Sequence, residues 1–217
     1  MDIGIVGAGR LGETLARLFV DAGHEVMLSN SRGAWSVEDQ TDELGRHAHP
    51  GDVEEAVLSG EVVVLALPFR NRESLPSGDL FAGKIVVDAT NPYTESGEVM
   101  DLPRPSSEYV ARQFPGARVV KAFNTLDWET LRDAADPTGD DRPDDGRVAD
   151  DRLAVFVAGD YPNANETVAD LVEDVGFAPV ETGTLAEGST RQEPGGELYG
   201  RPMAAGDARK RIPAGRN

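Results

Sequence analysis

The run Gly7-Ala8-Gly9-Arg10-Leu11-Gly12 carries three glycines at the spacing G-x-G-x-x-G, between the apolar stretch DIGIV and a segment of helical periodicity. That spacing suits one piece of chemistry, the cradling of a pyrophosphate. Gly7 makes the tight turn, Gly9 lets the backbone approach the phosphates, and Gly12 lets the helix pack closely on the strand. Arg10 and Leu11 fall in the first helical turn, where free N–H groups and the positive end of the helix dipole face the anion. A merely tight turn could use the same glycines. Strand, glycines and helix in this order predict a dinucleotide site.

In sites for NAD the second strand ends, about 20 residues further on, in an acid that accepts hydrogen bonds from the ribose hydroxyls. Here that place reads Ser29-Asn30-Ser31-Arg32-Gly33, with no carboxylate. An acid would repel a 2'-phosphate, whereas Ser31 can donate a hydrogen bond and Arg32 can offer a charged fork. Asn30, Ser31 and Arg32 therefore predict NADP as the cofactor. The competing reading makes Arg32 an ordinary loop arginine.

Ligands of open α/β sheets bind beyond the carboxyl ends of the strands. Three such ends stand out: Leu67-Pro68-Phe69, Asn91-Pro92 and Asn124-Thr125. Pro68 and Pro92 stop their strands and stiffen turns that would flank a nicotinamide, which is also their complete structural explanation. Asn91 and Asn124 end apolar strands and can hydrogen-bond either a ligand or the backbone of their own turns.

The elements that must hold these residues alternate between strand-like and helix-like patterns, which predicts an α/β, doubly wound Rossmann fold with a mostly parallel sheet. DIGIVG, EVMLSN, VVVLALP, KIVVDAT, RVVKAFN and LAVFVAG read as buried strands. Leu11, Leu15, Leu18, Phe19 and Ala22 form one helical stripe that stops at Gly23, and a polar helical stretch runs from about Trp35 to Leu44. A second clean helix runs from Pro162 to Val175 and ends at Gly176. The expected division is an NADP-binding domain over 1–185 and a short irregular C-terminal extension over 186–217.

Composition narrows the function classes. A chain of 217 residues with 39% hydrophobic content is enough for one sizeable core. There is no cysteine, so disulfides and thiolate metal sites are excluded, and His47 and His49 read as loop residues. The net charge of −18, from 39 acidic and 21 basic residues, argues against nucleic acid and anionic membrane as partners. Such self-repulsion suits a salt-rich cytoplasm, where screening is short-ranged; an acidic protein of ordinary surroundings is the alternative. The longest apolar run, VVVLALPF, is too short to cross a bilayer, so a soluble cytoplasmic protein is expected. Asp133 to Arg152 holds eight aspartates without periodicity and reads as a solvated loop lacking the ordered spacing of a calcium site. Residues 201–217 hold five basic groups and one acidic, a tail that either frays or lies on the acidic body of its own or a neighbouring subunit. That arm suggests a homodimer.

GIVGAGRLGETLARLFVDAGHEV, SNSRG, VVVLALP, VVDATNP and VVKAFNTL together resemble the NADP-dependent reductase family of the deazaflavin coenzyme F-420. The same module resembles the cytoplasmic oxidoreductase domain of the membrane-bound metalloreductases. The likeness covers roughly residues 1 to 185 and implies hydride transfer between NADP(H) and a deazaflavin or flavin stacked beside the nicotinamide. It also departs from the family where that partner would lie, at Asn124 and in RQEPGGELYG. Asn124 and Thr125, with Phe123 behind them, are the expected floor for the second ring, Asn124 donating a hydrogen bond to an acceptor carbonyl. Such a transfer needs proximity and exclusion of water and no acid–base dyad. None is evident: no Tyr-x-x-x-Lys pair occurs, and neither Lys84 nor Lys121 reads as facing the cleft. Other acceptors, or a non-catalytic NADP-sensing module, remain alternatives.

Overall fold

The computed structural model describes residues 1–135 and 151–212. Strand and helix alternate as β1 (Asp2–Val6), α1 (Arg10–Asp21), β2 (Glu25–Ser29), α2 (Glu38–Leu44), β3 (Ala48–Gly51), α3 (Val53–Ser59) and β4 (Val62–Leu65). They continue as β5 (Ile85–Asp88), α4 (Ser106–Gln113), β6 (Arg118–Lys121), α5 (Trp128–Ala134), β7 (Ala154–Gly159), α6 (Pro162–Asp174), β8 (Ala178–Glu181), α7 (Leu185–Gln192) and α8 (Ala205–Arg211).

The eight strands form one sheet in the order β3-β2-β1-β4-β5-β6-β7-β8. Neighbours are parallel except β6 and β7, which run antiparallel. The order 3-2-1-4-5-6 is that of the doubly wound dinucleotide fold, with its switch point, and hence its crevice, between β1 and β4.

Alternation along the strands sends side chains to two apolar layers. Ile3, Ile5, Val64, Val87 and Val120 meet Leu15 and Phe19 of α1 and Val168 and Leu171 of α6 on one face. Val63, Leu65, Val86 and Val119 meet Phe81, Val110 and Phe114 on the other. Both helical stripes expected from the sequence face this core, and α6 begins at Pro162, whose missing N–H costs nothing in a first turn.

Several elements carry too weak a pattern to be read in advance. The edge strand β3, sequence AHPG, is polar and contains Pro50, which an edge tolerates. His49 therefore lies in a strand, a correction to its reading as a loop residue. His47 precedes it, and the two imidazoles sit 2.6 and 3.0 Å from the Glu25 carboxylate of the neighbouring strand.

Residues 201–212 of the C-terminal tail lie on the body of their own chain. Ala154 N–H donates to the Met203 carbonyl and Ala205 N–H to the Arg152 carbonyl, both at 2.9 Å. Ala205 and Ala208 of α8 are buried with Leu198 against Phe156 and Val180. Over residues 201–212 the tail is thus docked on the body rather than projecting from it. Of the acidic run, residues 136–150 lie outside the described residues. Among the described residues no helix is long and apolar enough to cross a membrane.

Candidate functional site

The glycine turn joins β1 to α1 at the crevice. Gly7 adopts φ 118°, and a Cβ there would lie 2.2 Å from the Ala66 carbonyl oxygen at the end of β4. A Cβ on Gly12 would lie 1.7 Å from the Gly7 carbonyl oxygen, so helix and strand close only over a glycine. Gly9 differs: nothing stands within 4 Å of where its Cβ would be. It is also the N-cap of α1 and has no side chain to bond the first turn. Open approach and uncapped N–H donors together make an anion cradle.

From this turn a cleft of about 1060 Å³ runs across the ends of β1, β2 and β4. Gly7, Gly9, Asn30, Ser31, Arg32, Leu67 and Pro68 line it. Asn30 shapes the loop, its Oδ1 accepting from the Arg32 N–H at 2.7 Å and the Ser36 hydroxyl at 2.9 Å. The guanidinium of Arg32 makes no ion pair with any described residue and is exposed at the rim.

The fold adds residues to this cleft that no motif announces. Val53, Leu75 and Pro76 supply an apolar wall suited to a base, and Asp52 brings a carboxylate beside Gly33. That carboxylate is engaged: Asp52 Oδ1 accepts from Ala34 N–H at 2.9 Å, and the side chain forms a capping box with Glu55 at the start of α3. A cap pattern, Asp-x-x-Glu, is visible at 52–55, but its proximity to Arg32 is not.

Other expected site residues lie elsewhere. The Arg10 guanidinium stacks over Trp128 of α5, 5.2 Å from the ring centroid, in a separate hollow of about 290 Å³ between α1 and α5. Only its backbone remains at the cradle. Leu11 packs against the core, and Phe69 is buried 6.4 Å from the Tyr109 ring with Arg72 over its face. Phe69 is therefore turned away from the cleft that Leu67 and Pro68 line.

At the ends of β5 and β6 the polar residues bind each other. Asn91 Nδ2 donates to the Asn124 carbonyl at 2.9 Å, and Asn124 Nδ2 donates to Asn91 Oδ1 at 3.0 Å and to the Gln192 carbonyl at 2.9 Å. Three acceptors fix both amide orientations, and the two N–H groups of Asn124 are spent. Asn124 is buried and cannot donate to an acceptor carbonyl in this arrangement, which corrects that expectation. Asn91, half-buried beside the buried Pro92, keeps one N–H. Phe123 takes φ 60° and turns into the core, edge-on to Phe19 at 5.9 Å, while the Thr125 carbonyl accepts from Gly200 N–H.

Beyond Pro92 a second groove of about 690 Å³ runs between residues 92–105 and 190–197. Met100, Leu102 and Pro103 wall it, and Arg104 and Arg191 stand at its edges, each 3.6 Å from a glutamate, Glu108 and Glu197 respectively. Tyr93 donates to the Tyr199 hydroxyl at 3.1 Å nearby, and burial pushes the Tyr199 phenol well above its ordinary range. Lys121 does end β6, but its side chain is turned beneath the sheet end toward Asp88.

Strand order, glycine turn and uncapped helix define a doubly wound fold of the dinucleotide-binding class. Residues 2–92 match the pattern of the family described as NADP oxidoreductase, coenzyme F420-dependent. A hypothetical protein from Sinorhizobium meliloti is similar in structure, with TM-score 0.81 and 34% identity over 94% of this chain and 95% of that one. A structure from Arthrobacter sp. FB24, described as an F420-dependent NADP-reductase, has TM-score 0.68 and 28% identity over 85% of each chain. Metalloreductase STEAP3 of Rattus norvegicus is 34% identical over 185 residues, 85% of this chain and 34% of that protein. The chain thus spans about a third of the length of that curated relative.

Proposed function

We propose that the protein transfers a hydride between NADP(H) and a planar deazaflavin or flavin seated in the groove between residues 92–105 and 190–197. The observation that carries this reading is the pairing of two features beyond the carboxyl ends of the parallel strands: the cleft at the β1–α1 glycine turn, and the groove that begins at Pro92, next to Asn91 with its spare N–H. Bound NADPH supplies the hydride. Gly7, Gly9 and the first turn of α1 hold its pyrophosphate, Ser31 and Arg32 its 2'-phosphate, and Val53, Leu75 and Pro76 its adenine. Leu67, Pro68 and the free N–H of Asn91 receive the nicotinamide end, Asn91 with a donor for the carboxamide. Asn124 and Thr125 form the turn beneath the two rings. Met100, Leu102 and Pro103 offer a planar ring an apolar wall, and Arg104 and Arg191 suit an acceptor bearing an anionic appendage.

Reduction of a ferric centre through a flavin is the second reading, favoured by the likeness to the metalloreductase module. The test is to follow NADPH absorbance with a deazaflavin, FMN, FAD and ferric chelates in about 1 M KCl. Oxidation by the deazaflavin or a flavin is the expected result. Oxidation by ferric chelates only when flavin is added favours the second reading. Tight NADPH binding with no oxidation by any acceptor would make the protein a sensor.

A further inference from the structure

Asp88 and Lys121 stand directly opposite one another at the last positions of β5 and β6. Both side chains are 0% exposed, and Lys121 Nζ lies 3.1 Å from Asp88 Oδ2. Such a pair is costly to bury, and well-packed apolar residues of similar volume commonly serve stability as well or better. Its value to this protein has to be sought in what it holds.

What it holds is one residue. Thr90 gives its N–H to Asp88 Oδ1 at 3.0 Å and its hydroxyl to the same oxygen at 2.6 Å. Its carbonyl accepts from Lys121 Nζ at 2.6 Å. Ser107 of α4 closes the set, its hydroxyl donating to Asp88 Oδ2 at 2.6 Å. Every hydrogen-bonding group of Thr90 is thereby directed at the pair, and Asn91 follows Thr90 immediately. Thr90 cannot shift without breaking charge-assisted bonds in a dry interior, where they are strongest.

We infer that the Asp88–Lys121 pair is a positioning device that sets Asn91, and through it Asn124, at the nicotinamide end of the cofactor. The inference rests on the reading that NADP(H) lies along this crevice. Neither residue touches the ligand; both act through Thr90. Removing one partner alone strands a buried charge and endangers the fold, so the informative variant replaces both, Asp88→Leu with Lys121→Met.

The double variant is compared with wild type by thermal melting, by affinity for 2',5'-ADP, which probes the adenosine half alone, and by the fluorescence of bound NADPH, which reports how firmly the nicotinamide is held. The expected result is a melting temperature lowered by the unpaired Thr90 and Ser107 groups but still above the assay temperature, unchanged 2',5'-ADP affinity, and loss of at least half of the NADPH fluorescence change. Thr90→Val, which replaces the hydroxyl with a methyl group and leaves the ion pair in place, is the second variant and should move the same signal in the same direction with a smaller fall in melting temperature than the double variant. Full NADPH fluorescence change in both variants would overturn the inference and leave the pair a feature of the fold. Failure of wild type to bind 2',5'-ADP would instead overturn the cofactor reading on which it rests.

Discussion

Asn91 and Asn124, 33 residues apart in sequence, hold each other by two hydrogen bonds across the ends of β5 and β6. One is a side-chain amide pair at 3.0 Å and the other ties the Asn91 amide to the Asn124 backbone at 2.9 Å. Asn124 is consumed by this arrangement and by the Gln192 carbonyl, so it serves as the clasp between β5, β6 and α7. Asn91, with a donor to spare, is the member left for a ligand.

Truncation of the clasp should therefore register first in stability. Asn124→Ala leaves the buried Gln192 carbonyl and Asn91 Oδ1 without their donor, a loss of about 1–3 kcal/mol. At roughly 2–4 °C per kcal/mol for a chain of this size, melting should fall by several degrees. A calorimetric melt checks it. A variant that melts as wild type yet loses turnover with its acceptor would return Asn124 to the role of a catalytic donor.

Cofactor choice should rest on Arg32. A charged contact to the 2'-phosphate is worth about 1.5–3 kcal/mol, or about tenfold to over a hundredfold in affinity. NADPH is expected to bind tighter than NADH by that factor, and Arg32→Ala to lose most of it. Titrations of both cofactors at low and high salt test the point, since Asp52, Glu54 and Glu55 on the same cleft oppose an anion and their influence is screened as salt rises.

His24 makes stability depend on pH. Burial is the main cause that holds its imidazole below the ordinary 6.5; the N-terminal ammonium adds to this, and Asp174 opposes it. Asp174 stands 3.2 Å from the ring, and its pull toward the charged form is outweighed by burial and the ammonium. A lowered folded value means that the stability from neutral His24 is fully present above about pH 6.5 and is lost as pH falls through that lowered value. His24→Leu should flatten the decline in melting temperature between about pH 7 and pH 5. An unchanged slope in the variant would show that other groups carry it.

The net charge of −18 should make melting temperature rise with salt. Screening shortens from about 10 Å at 0.1 M to about 3 Å at 1 M, which relieves repulsion among surface carboxylates. Melts in KCl across that range are the measurement. A flat response would contradict adaptation to a salt-rich cytoplasm.

The glycine turn was legible in sequence because its chemistry is local: six consecutive residues fix the turn, the close helix and the free N–H groups. The Val-rich strands and the stripes of α1 and α6 were legible because one face of each must leave water, and periodicity records that. Lys121 shows where such reading stops. In sequence it is a polar residue in an apolar run, and only the register of β6 on β5 sets it against Asp88 with both side chains fully buried. Asp52 is likewise an ordinary helix cap until β3 pairs with β2 and carries it to the cleft that Arg32 borders. Short helices such as α3 and α5 were invisible because seven residues hold too few turns to show a period, and their stability comes from packing. Local sequence thus determined the glycine turn and the open first helical turn on which the proposed cofactor site rests. Tertiary structure alone decided which distant polar groups share a dry interior, because hydrogen-bond geometry and the loss of water are properties of strand register and burial, which no short stretch of chain contains.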